Sequence, residues 1–257
     1  RRPLPTIIFI DPPFIIIMKG GFLFLGIPGK TIHLNAMKIS RLPLLSGLVC
    51  LMAFGTVRSH AQQIIETEPL APFTILNTDG PIRIELIPAE ENRMQIMLWG
   101  IDAKGINWRI KDNALNVATR KGLVNKRAYA DIKLYYRELN RIVITGGEVT
   151  AKDPILCSSL YLEAESSVGK MGIVAECNDI TVRTSGDNVV KVSGTAEYAT
   201  YQARLGSRIE CLDLSVGNVT ASASGKAEIQ LRANELLDAR AVTGANIFFT
   251  GEPMTLH

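Results

Sequence analysis

The chain has 257 residues, of which 47% are apolar, 21% charged and 6% aromatic. That composition excludes a disordered polyampholyte and a polytopic membrane protein and suits one or two domains with a real core. The formal charge of +3 hides an asymmetry: residues 1–61 hold seven bases (Arg1, Arg2, Lys19, Lys30, Lys38, Arg41, Arg58) against one acid, Asp11, and the remainder holds 21 bases and 24 acids, a net −3. The basicity therefore belongs to the leader and gives no argument for nucleic-acid binding.

Residues 1–36 contain no initiator Met, and their apolar stretch from Ile7 to Ile27 is broken by Asp11, Pro12, Pro13 and Lys19, which a bilayer would tolerate poorly. They read as an extension upstream of a start at Met37, with Met18 as the alternative start. Residues 37–61 read as a cleaved secretory signal. Lys38 and Arg41 supply the positive start, Leu42 to Phe54 the apolar stretch, and Ser59-His60-Ala61 the small residues before Gln62. A buried helix or a membrane anchor is the competing reading, but the stretch is short for a span and Pro43 and Gly47 interrupt it. Lipidation of Cys50 is disfavoured because Leu48-Val49 lacks the small residue expected before it. Residues 62–71 read as a tether, and a single domain occupies 72–254.

Within that domain, Ile82-Arg83-Ile84-Glu85-Leu86 and Ile132-Lys133-Leu134-Tyr135 alternate with the period of half-buried strands. Asp79-Gly80-Pro81, Lys104-Gly105 and Asp112-Asn113 mark turns. Trp99, Trp108, Tyr129, Tyr135 and Tyr136 fall in this first half, where they either pack a sheet or offer a ligand-binding surface; Trp99, Trp108, Tyr129 and Tyr135 are the ligand-binding candidates. In the second half Gly169, Gly186, Gly206, Gly225 and Gly244 recur at spacings of 17, 20, 19 and 19 residues, each after a β-type run. Examples of those runs are Leu160-Tyr161-Leu162-Glu163-Ala164 and Tyr201-Gln202-Ala203-Arg204; short strands such as Val189–Val192 and Ile209–Leu212 follow the turns. Leu231 to Ala241 is the nearest contender for a helix, yet its alternation fits a strand equally well. A repeat this short cannot bury its own apolar face, whereas stacked coils build a continuous core. The pattern predicts an all-β fold, a β-solenoid with a less regular N-terminal β half and glycines at the structural turns. Only Pro154 occurs between Ala89 and Glu252, as a fully laddered interior requires. An antiparallel sandwich is the alternative.

From Phe73 to Pro253 the chain resembles the head GIN domain family of putative autotransporter adhesins. The resemblance rests on Phe73-Thr74-Ile75, on Ile142-Val143-Ile144-Thr145-Gly146, on the Ser185-Gly186 and Ser224-Gly225 turns, and on the terminal Gly244-Ala245-Asn246-Ile247-Phe248-Phe249-Thr250-Gly251-Glu252-Pro253. Leu205-Gly206 and Thr243-Gly244 depart from the Ser-Gly turns. The resemblance implies a right-handed, single-stranded β-helix and an exported protein of a Gram-negative cell envelope, in the periplasm or at the outer surface.

Catalytic options are few. The histidines are His33, His60 and His257, two in the leader and one at the terminus, so neither a Ser-His-Asp nor a Cys-His machine is predicted, nor a catalytic zinc site. Cys157, Cys177 and Cys211 show no Cys-x-x-Cys spacing and read as core thiols; Cys157 and Cys177 lie about one coil apart, which leaves a disulfide open. Ser167-Val168-Gly169-Lys170 matches a Ser-x-x-Lys pattern but lies on a predicted turn. The acids Glu163, Glu165, Asp179, Asp187, Glu210, Asp213, Glu228 and Asp238 do not stack in one column, so a solvated face is favoured over a glycoside-cleaving pair. The sequence therefore predicts no catalytic, metal or cofactor site, no nucleic-acid partner and no membrane span in the exported chain. It predicts an adhesion-type module whose partner is an envelope glycan or protein. The alternatives are a polysaccharide-degrading enzyme and a structural periplasmic assembly domain, and the solenoid's exposed sheet edges leave a homo-oligomer open.

Overall fold

The structure is a computed structural model that describes residues 7–9, 15–19, 22–26, 63–67, 69–101, 103–120, 128–165 and 168–257. The signal segment 37–61, the start at Met37, Cys50 and Ser167 lie outside the described residues. Two compact units divide the chain, Arg1–Arg58 and Ser59–His257. In the first, β1 (Ile7–Phe9), β2 (Ile15–Lys19) and β3 (Phe22–Gly26) form an antiparallel three-stranded sheet. Among the described residues no helix is long and apolar enough to cross a membrane.

The second unit is a β-solenoid of about six turns. It opens with β4 (Gln63–Glu66), a short strand inside the segment expected as a tether. There follow β5 (Ile75–Asp79), β6 (Ile82–Pro88), β7 (Arg93–Trp99), a 3-10 turn (Ala103–Gly105), β8 (Ile106–Lys111), β9 (Ala114–Thr119), β10 (Tyr129–Tyr136) and β11 (Arg141–Thr145). The long strands β12 (Gly147–Ala164), β13 (Gly169–Ser185) and β14 (Val189–Arg204) come next, then β15 (Arg208–Cys211), β16 (Leu214–Ser224), β17 (Glu228–Arg232), β18 (Leu236–Val242), β19 (Asn246–Thr250) and β20 (Thr255–Leu256). Where a helix competed, at Leu231–Ala241, the chain bends at Asn234-Glu235 and runs on as β18.

Strand pairing resolves the unit into two principal faces. On the first, the order is β4-β7-β10-β6, then the start of β12, of β13 and of β14, then β15, β17 and β19. On the second it is β8-β9-β5-β11, then the ends of β12, β13 and β14, then β16, β18 and β20. From β12 onward every pairing is parallel, so like residues stack along the axis. Leu160, Ile180, Ala199, Val219 and Leu237 make one buried column, and Val190, Ile209 and Ile229 another. Each coil buries an apolar row that only its neighbours cover, which is why the repeat forms as a stack. Pro154 sits where the β12–β13 register slips between Ala151 and Ile155, so its missing N–H removes no paired rung.

The turn from the second face to the first needs left-handed backbone. Gly186 (φ 80°), Gly206 (83°), Gly225 (64°) and Gly244 (73°) all lie there, as expected, and Gly80 and Gly146 continue the column into the N-terminal half. Four corners use two consecutive left-handed residues: Gly146-Gly147, Leu205-Gly206, Gly225-Lys226 and Thr243-Gly244, the pattern of a type I′ turn. Gly169 differs. It opens β13 and is not left-handed; a Cβ there would come within 2.7 Å of Asn188 Oδ1 and 2.9 Å of Ile144 Cδ1. Gly169 leaves room for buried Asn188, whose Oδ1 accepts the Gly169 N–H at 2.7 Å and whose amide nitrogen donates to the Ser185 carbonyl.

The three thiols are free. Cys157 and Cys177 are register neighbours and half-buried, and Cys211 is fully buried against the Tyr201 side chain. Burial pushes Cys177 and Cys211 up to about 12.

Candidate ligand-binding surface

Alternation in β7 and β10 decides which aromatics reach the outside. In β7, Met94, Ile96 and Leu98 face the core, so Arg93, Gln95, Met97 and Trp99 face out. In β10, Ala130, Ile132, Leu134 and Tyr136 are buried, so Tyr129, Asp131, Lys133 and Tyr135 face out. The antiparallel register sets Trp99 opposite Tyr129 and Arg93 opposite Tyr135. Trp99 and Tyr129 stack with ring centroids 6.0 Å apart and planes inclined by 19°. On the neighbouring strand β6, Arg83 lies 4.3 Å over the Tyr129 ring and 3.9 Å from Asp131. Arg93 covers the Tyr135 ring at 3.6 Å.

Three of the four predicted aromatics are thus brought onto one outer face. Trp108 is not. It pairs with Val117, whose side chain is buried, and so projects toward the solenoid's interior from the terminal strand β8, at 37% exposure. Tyr136 is also removed from the surface: its hydroxyl is buried without a hydrogen-bond partner among the described residues, and burial pushes it up to about 12.

Beside the Trp99–Tyr129 pair runs an open groove lined by Pro81, Arg83, Tyr129, Glu148, Val168 and Lys170, continuous with a second one that shares Arg83 and Glu148 and reaches Lys133 and Lys152. The charges come from register: Asp131, Arg83, Glu148 and Lys170 are consecutive rungs of one outward column. Lys152 donates to Glu85 at 2.7 Å, a bond that holds the Glu85 carboxyl below its ordinary range. The result is a flat strip with a stacked aromatic pair, one exposed indole, and cations and anions in alternation. Such a strip can stack on the C–H face of a sugar ring or an aliphatic side chain and donate from Arg83 and Lys170 to its oxygens. A second aromatic–cation cluster stands on the other principal face, where Arg141 lies 4.2 Å over Tyr161 and pairs with Glu163 at 3.2 Å.

Four of the eight acids considered for sugar cleavage are held in ion pairs: Glu163 with Arg141, Asp213 with Lys191, and Glu210 and Glu228 with Arg208. Arg83 was not among the candidates, although its outward place in Ile82-Arg83-Ile84 follows from the alternation alone. Nothing local indicates which aromatic it covers, because that partner is 46 residues away and arrives through the β6–β10 register.

Residues 72–253 match the family described as "Putative auto-transporter adhesin, head GIN domain". The fold is similar to that of a crystal structure described as a putative adhesin from Bacteroides fragilis NCTC 9343, with TM-score 0.68 and 24% identity over 76% of this chain and 91% of that one. A putative adhesin from Parabacteroides merdae ATCC 43184 gives TM-score 0.58 and 19% identity over 77% and 93%. A structure described as a putative lipid binding protein from Parabacteroides distasonis ATCC 8503 gives 0.54 and 14% over 77% and 97%. Among curated proteins, a UDP-N-acetylenolpyruvoylglucosamine reductase of Carboxydothermus hydrogenoformans is 26% identical over 115 residues, 44% of this chain; the match spans only 36% of the reductase.

Proposed function

The chain belongs to the head GIN domain family of putative auto-transporter adhesins, and from that premise we propose that it is an exported, adhesion-type binding module of the cell envelope, acting without a cofactor or a catalytic step. Its ligand surface is the outer strip around Trp99, Tyr129 and Arg83, and its ligand an envelope glycan or a protein presenting sugar-like or aliphatic edges. The observation that supports this is the stacked Trp99–Tyr129 pair beside an open groove lined by Arg83, Glu148 and Lys170. Export rests on the leader reading: Lys38 and Arg41, the apolar Leu42–Phe54 segment and the small residues before Gln62.

The experiment is retention of the purified protein on envelope glycan and bacterial-surface arrays, with Trp99→Ala and Arg83→Ala beside it. Each substitution should weaken retention about tenfold or more, as loss of a stacking or charged anchor does, and leave thermal stability nearly unchanged. Equal retention by both variants, or no retained ligand at all, overturns the assignment. Export is checked separately by N-terminal sequencing of the cell-envelope fraction: a chain beginning at Gln62 supports it, and a chain recovered only inside the cell with its leader intact refutes it.

A further inference from the structure

The two ends of the solenoid are finished differently. At the N-terminal end, β8 folds back on β9 and its inward side brings Ile106, Trp108 and Ile110 over the last buried row, Leu115 and Val117. Its free edge carries Arg109 and Lys111, charges of the kind that discourage further strand pairing. At the C-terminal end the core columns simply stop. Val192, Cys211 and Leu231 are fully buried, and the next member, Phe249, is 45% exposed. Ala199, Val219 and Leu237 are buried, and Leu256 above them is 59% exposed. Phe248 stands outward at 53% exposure at a rung filled by Lys191, Glu210 and Gln230 in earlier coils, and Met254 is 86% exposed. The edge strand β19, Asn-Ile-Phe-Phe-Thr, has no charge and no proline.

We propose that this end is an interface between two copies of the chain, joined by antiparallel pairing of β19 with the β19 of a second copy about a two-fold axis through Phe248. The hydrogen bonds of β19 fix the register. Asn246 N–H donates to Ala227 and Thr250 C=O accepts from Ala233, so even-numbered residues face β17. The N–H and C=O groups of Ile247 and Phe249 consequently point to the open edge. Two-fold pairing sets Ile247 of each copy against Phe249 of the other as hydrogen-bonded pairs. It leaves Phe248 against its own mate at the closer, non-hydrogen-bonded spacing, where aromatic cross-strand pairs are favourable. The inward side chains of Ile247 and Phe249 then meet their counterparts, and the interrupted columns become continuous. A second copy is the occupant because the surface is self-complementary and of sufficient size. The exposed parts of Phe248, Phe249, Met254 and Leu256 amount to on the order of 500 Å² per copy, the size of the largest apolar patch on a typical monomer, which is often functional, and two such patches reach the roughly 1,000 Å² that a specific interface requires. An uncharged edge also meets its own copy without like-charge repulsion.

The test is sedimentation velocity of the full chain over a range of concentrations, with Phe249→Asp and Phe248→Lys. The intact protein should sediment as two copies, and each variant should weaken association at least about tenfold. Phe248→Lys keeps the readout valid if Phe249→Asp perturbs folding, because Phe248 faces outward. Phe248→Cys with oxidised glutathione should yield a disulfide-linked pair on a non-reducing gel, while Asp238→Cys, on the outer side of β18, should not. The proposal is overturned by a monomer at every concentration, by a dimer that neither variant weakens, or by a monomer retained on phospholipid vesicles through the same phenylalanines.

Discussion

The C-terminal coils from Gly147 onward and the N-terminal half from Gln63 to Thr145 share the same two faces but are built on different rules. In the coils every rung is parallel, one turn follows another in the same sense, and the outer positions hold mostly threonines, serines, glutamines and neutralised charges such as Arg208 between Glu210 and Glu228, with Tyr161, Tyr198 and Phe248 among them. In the N-terminal half, β7, β4 and β8 run against their neighbours, the chain doubles back through the Asp112-Asn113 hairpin, and long-range register gathers Trp99, Tyr129, Tyr135, Arg83 and Arg93. Stacking demands that side chains at a rung tolerate copies of themselves above and below, which favours small and polar residues. Relief from that demand lets the N-terminal half set bulky aromatic rings against each other, as in the Trp99–Tyr129 pair.

The comparison can be broken most severely at Gly194, a second, tighter corner of the coils. Its φ is 114° and a Cβ would lie 2.1 Å from the Ala175 carbonyl oxygen, backbone that the register holds in place. Gly194→Ala should lose roughly 3 kcal/mol or more in urea unfolding. Gly100→Ala, in the N-terminal half, meets only Ala128, its Cβ at 3.4 Å and its Cα at 3.7 Å, and should lose about 1 kcal/mol. If the two losses are equal, the coils are not the more constrained region.

Next in size is Asn188→Ala, which leaves the Gly169 N–H and the Ser185 carbonyl buried without their side-chain partner. About 2 kcal/mol should be lost in the same assay, with Thr67→Ala, whose hydroxyl bonds Met94 in the N-terminal half, losing less because that site is only partly buried.

Alkaline pH separates the regions further. Cys177, Cys211 and Tyr136 are raised to about 12 from ordinary values of 9.0 and 10.0, and Tyr201, buried against Cys211, lies well above its own. The unfolded chain then releases these protons first, so it binds fewer protons than the folded one between about pH 9 and 12, and stability falls as pH rises through that window. Tyr201 and Cys211 meet at one place in the coils, so Tyr201→Phe should flatten the decline of melting temperature with pH.

The smallest effect is a gain. Thr243 is β-branched and left-handed (φ 58°), a costly combination, and Thr243→Asn should raise stability by about 0.5 to 1 kcal/mol, read as a higher midpoint in thermal unfolding.

Much of the fold was legible because burial alternation and turn residues act locally. Tyr201-Gln202-Ala203-Arg204 ends at a corner as predicted, and Ile209 to Cys211 resumes after it. The glycine spacing was a truer guide to the existence of the coils than to their length. Register steps run 19 from Lys170 to Val189, 19 to Arg208, 20 to Glu228 and 18 to Asn246. Three of the later corners offer two left-handed positions, and glycine takes the first at Gly225 and the second at Gly206 and Gly244, which blurs the count. Gly169 fell out of step because its reason is a neighbouring Asn188 rather than a turn. The candidate surface was legible in part: the alternation sorts Trp99, Tyr129 and Tyr135 outward and Tyr136 inward, but Trp108 needed strand pairing, which no single segment encodes, to be set aside.

One strand separation per rung makes the stack a ruler. Along the first face eight rungs lie between β7, which carries Trp99, and β19, a length of about 38 Å at ~4.8 Å each. Inserting or deleting one coil would move the Trp99 strip by a fixed increment and leave its chemistry untouched. In the two-copy assembly the strips stand at opposite extremities, some 80 Å apart at twice that length, far enough to bridge two surfaces and not to grip one.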